Sequence, residues 1–193
     1  MTNLIGALTL CFCSVALANN EFEDFFNSFE TLSADFTQQI HTDEKKPLTQ
    51  TSGYLRFKRP ASFIWQTHSP IKQTLLLNNH ELWLVDTELE QASQRAMTEL
   101  KETPLYWLLN RPEQLQSLPK YTHSESNVNW YATQQPNQLS FGFRQNLLHA
   151  IRLTNPLGQK IQVTFSKMAL NPKLEKTDFV LELADDFDII RSF

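Results

Sequence analysis

Arg59 has the most chemically demanding setting in this chain. It closes the first half of the run Gly53 to Pro70, in which Leu55 and Phe57 alternate with Tyr54 and Arg56 at the period of a strand. Continuing that alternation by two residues puts Arg59 on the same face as Leu55 and Phe57. A guanidinium at the end of an apolar face is costly to bury unless paired, so it belongs at the rim of a hollow. Pro60, which has no N–H to donate, breaks the ladder. Phe63 and Trp65 then begin a second alternation, with Ser62 and Gln66 on the opposite face. On the residues alone, a solvated arginine ahead of a turn proline is the competing reading.

The other reactive side chains form no constellation. The histidines fall at 41, 68, 80, 123 and 149, with no i, i+4 pair of the kind a zinc helix needs. Asp185, Asp186 and Asp188 read as a solvated C-terminal segment, and nothing marks a carboxylate pair for glycoside hydrolysis. Serine, histidine and aspartate occur without a motif that would assemble a triad. The glycines are Gly6, Gly53, Gly142 and Gly158, so no phosphate-cradling loop, dinucleotide fingerprint or nucleophile elbow can be written. No block of basic residues stands out at a net charge of −4, which argues against a nucleic-acid partner. We expect no catalytic residue, no metal and no cofactor: the chain does not read as an enzyme.

What it has instead is greasy surface, including 14 phenylalanines. Residues 1–18 carry no charge, are mostly apolar from Leu4 to Leu17, and end in Ala16-Leu17-Ala18, a small-x-small cleavage pattern. The stretch is short for a membrane span. We therefore expect a cleaved export signal over 1–18, with an uncleaved anchor as the competing reading because no Lys or Arg precedes the apolar run, and a single domain over 19–193. Both cysteines, Cys11 and Cys13, lie inside that signal, preceded by Leu10 and Phe12 rather than by the small residue that a lipid-attachment site needs. The mature chain is then exported, unlipidated and free of disulfides.

The elements that position Arg59 follow from periodicity. Phe22, Phe25, Phe26, Phe29 and Leu32 recur at helical spacing, with Glu21, Glu23, Asp24 and Glu30 filling the other side. Such a stripe is either core or the lining of a cavity. Ala34, Phe36, Gln38 and Ile40 share a strand face. Leu75 and Leu77 lead through Asn78-Asn79 into a returning strand, Leu82 to Val85, and Gln91 to Met97 is a more polar strand. Thr103-Pro104 opens a helix with an N-cap and a first-position proline. Its residues Leu105 to Leu109 are apolar all round, so the helix must be covered on several sides or dip into something greasy. A strand meander follows over 128–132, 139–143, 148–154 and 159–168, with a turn at Asn155 to Gly158. A last strand is predicted through Phe179, Leu181 and Leu183. The sum is an α+β, mainly β fold: an incomplete, unclosed antiparallel β-barrel of about 10–11 strands with helices as a lid. An apolar half-barrel under a movable lid suits acyl chains.

The chain resembles the outer-membrane lipoprotein carrier (LolA) family. The matching segments are Leu32-x-Ala34-x-Phe36-x-Gln38, Gly53-x-Leu55-x-Phe57-Lys58-Arg59-Pro60, and Phe63-x-Trp65 with Ser69-Pro70. Leu82-Trp83, Glu90-Gln91-Ala92 and Thr103-Pro104 follow in order. The family's usual proline between the last strand and the tail is absent, as is the long C-terminal extension of some members.

That resemblance implies a soluble, monomeric periplasmic chaperone. It would receive triacylated lipoproteins from an inner-membrane ABC transporter and deliver them to an outer-membrane lipoprotein receptor. It also implies that Arg59 is a latch, its guanidinium holding the lid helices by their carbonyls over the empty cavity. Phe22, Phe26, Phe29, Phe36, Leu55, Phe57, Phe63, Trp65, Leu105 and Leu108 would line the acyl-chain cavity, and Phe63 is a candidate contact for the transporter. Three other functions compete. The receptor of the same pathway shares the fold but needs a lipid-bearing cysteine, a lipid-handling esterase needs an activated nucleophile, and a structural envelope β-protein would hold no lipid.

Overall fold

The computed structural model describes residues 20–41, 47–79, 81–97, 103–134, 139–155 and 157–191. The segment expected to be an export signal, with both cysteines, and His80 lie outside the described residues. The chain opens with helix α1 (Glu21–Asn27), whose apolar stripe faces inward: Phe22, Phe25 and Phe26 are buried, as is Phe29 just beyond it. Glu21, Glu23 and Asp24 occupy its first turn, at the positive end of the helix dipole.

The strands are β1 (Thr31–His41), β2 (Pro47–Lys58), β3 (Ser62–Ser69), β4 (Gln73–Asn78), β5 (Glu81–Asp86) and β6 (Gln91–Arg95). Helix α2 (Pro104–Leu109) and a 3-10 turn (Pro112–Gln114) come next. There follow β7 (Lys120–Glu125), β8 (Val128–Ala132), β9 (Ser140–Arg144), β10 (Leu147–Thr154), β11 (Lys160–Leu170), a second 3-10 turn (Lys176–Phe179) and β12 (Asp188–Arg191). All twelve strands form one open sheet in the order β12-β6-β5-β4-β3-β2-β1-β11-β10-β9-β8-β7. Neighbours are antiparallel except β12, which runs parallel to β6 with Ile189 opposite Ala92. The sheet curls without closing, leaving β7 and β12 as its edges.

The turn expected at Asn78-Asn79 falls one residue later: Asn78 still pairs with Glu81, and Asn79, with φ 56°, leaves β4. Asn155 Oδ1 accepts the amides of Leu157 and Gln159, and Gly158 takes a φ of 77° that a side chain rarely adopts. Gly53 is needed for a different reason: a Cβ there would stand 1.8 Å from the Gln66 carbonyl oxygen across β2–β3.

Two sequence expectations are corrected. The strand through Phe179, Leu181 and Leu183 does not form: Phe179 ends a 3-10 turn and the last strand is β12, four residues long. The described residues form twelve strands against the expected 10–11, because β7, exposed throughout, shows no apolar alternation to betray it.

The concave face of the sheet carries the main core. Phe22 packs edge-on against Phe141 and Phe143 with ring centroids 5.3 and 6.3 Å away, and Phe25 against Phe143 at 5.6 Å, which seats α1 over β9. The convex face of β4–β6 buries Leu76, Val85 and Ala92, residues that alternate away from Leu75, Leu77 and Leu84. The tail after β11 crosses the convex face, with Phe179 1% exposed. Arg56 pairs with Asp178 at 2.7 Å, and Lys58 Nζ donates to the Leu174 carbonyl at 2.8 Å, fastening the tail to β2.

Candidate functional site

A cavity of about 240 Å³ lies between the concave face and α2. Of the side chains expected to line it, Leu55, Phe63, Trp65, Leu105 and Leu108 do so. Phe22, Phe26, Phe29, Phe36 and Phe57 do not. The first three belong to the aromatic cluster that fills the neighbouring part of the cup, Phe57 packs edge-on against Phe29 at 6.0 Å, and Phe36 stacks on Trp65 at 3.8 Å. Their burial is as complete as cavity lining would require, but protein atoms rather than space adjoin them. Phe63, also a candidate partner contact, is 2% exposed, so a partner can reach it only if the lid moves.

Sequence reasoning missed the opposite wall. Ile151 and Leu153 on β10, with Ile161, Val163 and Phe165 on β11, line the cavity across from β2–β4. The signal was available: each set sits at i, i+2 spacing in a strand already recognised.

Arg59 sits where the C-terminal ends of both helices converge. Strand β2 ends at Lys58, and the Arg59 amide turns back to the Glu30 carbonyl at 2.9 Å. Its guanidinium then donates from Nη2 to the Phe26 carbonyl (2.9 Å), from Nε to that of Phe29 (3.2 Å) and from Nη1 to that of Leu108 (3.0 Å). A longer contact reaches Leu109 at 3.5 Å.

The last carbonyls of a helix have no intrahelical partner and carry the negative end of its dipole. One planar cation thus satisfies the ends of α1 and α2 at once, which a lysine could not do. Ser28 caps α1 through the Phe25 carbonyl and Asn110 caps α2 through that of Tyr106, so the Arg59 bonds add to ordinary capping. The cation also lies 5.1 Å from the Phe29 ring centroid and 5.6 Å from that of Phe57.

Burial lowers the Arg59 pKa, with Arg111 adding to the effect and Glu30 and Glu113 opposing it. A guanidinium stays charged nonetheless. Glu30 is held by Arg111, which brings a second cation to the same rim.

Among the described residues no group of three or more histidine, aspartate or glutamate side chains is placed to hold a metal ion, and no helix is long and apolar enough to cross a membrane.

The family model described as outer membrane lipoprotein carrier protein LolA matches residues 27–182. Proteins named outer-membrane lipoprotein carrier protein resemble the chain along most of its length. That of Hahella chejuensis is 26% identical over 179 residues, covering 84% of this chain and 82% of its own. That of Neisseria meningitidis serogroup C is 25% identical over 203 residues, covering 97% of both. A LolA superfamily protein from Nitrosomonas europaea has the same fold at a TM-score of 0.50 and 9% identity, covering 83% of this chain and 94% of its own. A match across 27–182, with the cup and its arginine-fastened helices, leaves one conclusion: the chain belongs to the outer membrane lipoprotein carrier protein LolA family.

Proposed function

We propose that this protein is a periplasmic carrier that shelters the acyl chains of triacylated lipoproteins. It would take them from an inner-membrane ABC transporter and hand them to an outer-membrane receptor, acting as a monomer and without catalysis of its own. The observation that carries this reading is the apolar cavity under a helix that Arg59 ties down by its backbone. The names of the relatives supply the cargo class.

Physical chemistry makes a shelter necessary. Each exposed methylene costs about 0.8 kcal/mol, so three chains of about fifteen methylenes would cost roughly 36 kcal/mol as an upper bound. The cavity, at about 240 Å³, falls below the roughly 300–1,000 Å³ typical of pockets for small ligands. Cargo must therefore displace the lid. Arg59 is the latch in this scheme: entry of acyl chains breaks its bonds to Phe26, Phe29 and Leu108, and closure after release restores them. Leu105 and Leu108 ride on the moving helix, Phe22 and Phe26 on α1 with Phe29 just beyond its end, and Phe63 becomes accessible to the transporter once α2 lifts.

The test is co-purification. The mature protein released from spheroplasts should carry an acylated lipoprotein out of the membrane fraction. Lipoproteins that remain wholly in the membrane, while the protein is folded and in excess, would refute carriage.

A further inference from the structure

The concave face changes character at one level. On β2 the inward series runs Phe57, Leu55 and Gly53, then Thr51 and Thr49. On β1 it reaches Gln38 opposite Thr51, and on β3 it passes from Trp65 to Thr67. The Thr67 hydroxyl accepts from the Gln73 amide at 3.0 Å and donates to the Ile71 carbonyl at 2.9 Å. Gln73 in turn donates to Asp86 at 2.8 Å across β4–β5. A belt of neutral polar groups thus crosses the inside of β1–β4 at the end away from Arg59.

The belt lines a second hollow of about 340 Å³, which shares Gln38, Trp65 and Leu75 with the apolar cavity. Within it the Thr51 hydroxyl is buried and, among the described residues, has no hydrogen-bond partner. A buried hydroxyl left unpaired is costly, so a polar group of the cargo that bonded it would gain free energy there. No lysine or arginine is among the described residues lining the hollow, so nothing there would neutralise a phosphate.

We propose that this belt is the head-group site: it binds the uncharged glyceryl ester and amide carbonyls of the triacylated cysteine. The acyl chains run past Trp65 into the apolar cavity, and the polypeptide leaves over Thr49. Trp65, which lines both hollows, must shift as cargo enters, and that shift uncovers Thr51. The assignment rests on the lipoprotein-carrier reading and specifies where the polar end of that cargo lies.

Three probes separate the possibilities: a synthetic triacylated lipopeptide, palmitic acid and phosphatidylglycerol. Thr51→Val keeps the shape and removes the hydroxyl. It should weaken lipopeptide binding about 3- to 10-fold, the effect of one neutral hydrogen bond, and change palmitate binding less than about 2-fold. The urea midpoint of the empty variant should be equal to or above that of wild type, which excludes misfolding as the cause. A benzophenone side chain at Thr49 should crosslink to the peptide part of bound lipopeptide.

Unchanged lipopeptide affinity, an equal loss for palmitate, or phosphatidylglycerol binding as tight as lipopeptide would each overturn the head-group assignment while leaving carriage intact. Failure of wild type to bind the lipopeptide at all would overturn carriage itself, and this inference with it.

Discussion

Replacing Arg59 by leucine tests the latch directly. Leucine retains apolar contact with Phe29 and Phe57 but removes the donors to the carbonyls of Phe26, Phe29 and Leu108. Hydrogen bonds to a charged group contribute about 1.5–3 kcal/mol each. Arg59 is half-buried and water can replace it, so about 1 kcal/mol per bond is the appropriate figure. Three bonds then favour closure by about 3 kcal/mol, of which about 1 kcal/mol falls on α2.

Amide hydrogen exchange reads this locally. The Asn110 amide, bonded to Tyr106, reports α2, and the Ser28 amide, bonded to Phe25, reports the end of α1. Both should exchange roughly 5- to 30-fold faster in Arg59→Leu, while amides of β10 and β11 keep their protection. Arg59→Lys, with a point charge that reaches fewer carbonyls, should fall between.

In a transfer assay Arg59→Leu should still take up lipoprotein. It should fail to pass it on, because closure no longer recovers about 3 kcal/mol, or roughly 100-fold in the release equilibrium. Unchanged protection of Asn110 and Ser28 together with normal transfer would remove Arg59 from the mechanism.

Three further outcomes follow from the packing. Phe179→Ala should cost about 3–5 kcal/mol of stability, measured by urea unfolding, since its ring is 1% exposed beneath the tail. Gly53→Ala should destabilise by about 3 kcal/mol or more, because the new Cβ meets the Gln66 carbonyl oxygen at 1.8 Å and the Phe36 ring at 2.9 Å; a wild-type urea midpoint would refute the claimed close approach. The His149 pKa is lowered, first by burial and then by Arg144. The unfolded chain therefore binds this proton more readily, so the contribution of His149 is complete above the ordinary histidine value and is lost as pH falls below it. His149→Gln should flatten the decline in stability between pH 7 and 5, and an unchanged slope would assign that decline to other groups.

How much of this was legible from the sequence depends on which face a residue occupies. Arg59 could be read because an alternating apolar run brings it to a strand end and Pro60 forbids continuation, which together put a cation at an apolar rim. Helix α2 could be read because Thr103-Pro104 marks a start and an all-apolar helix demands cover. The tail could not. Phe179, Leu181 and Leu183 alternate as a strand does, yet the segment lies across the convex face, where no sheet edge is available to pair with it. Strand β7 lacked any apolar alternation because it is an exposed edge. The phenylalanine stripe of α1 stayed ambiguous for a deeper reason: hydrophobic spacing specifies that a side chain leaves water, and it leaves water equally by touching protein or by facing a hollow.

That ambiguity has a thermodynamic counterpart in the proposed mechanism. An empty apolar cup large enough for three acyl chains would itself be costly, and the closed protein avoids that state by filling the cup with its own side chains. Phe22, Phe25, Phe26 and Phe29 on and beside α1, with Leu105 and Leu108 on α2, are all buried against the sheet. Burying each such side chain is worth about 1.5–3 kcal/mol, so displacing these six would offset on the order of 10–15 kcal/mol of the roughly 36 kcal/mol that shelter gives the cargo. Rearranged helices recover part of that loss by packing on acyl chains instead. Self-filling therefore sets the affinity below what the acyl surface alone would dictate, and Arg59 adds a directional term to it, since its three acceptors face it only when both helix ends have returned to the rim. A carrier needs this combination: a cargo site attractive enough to empty one membrane complex, and an empty state favourable enough to let the next one take over.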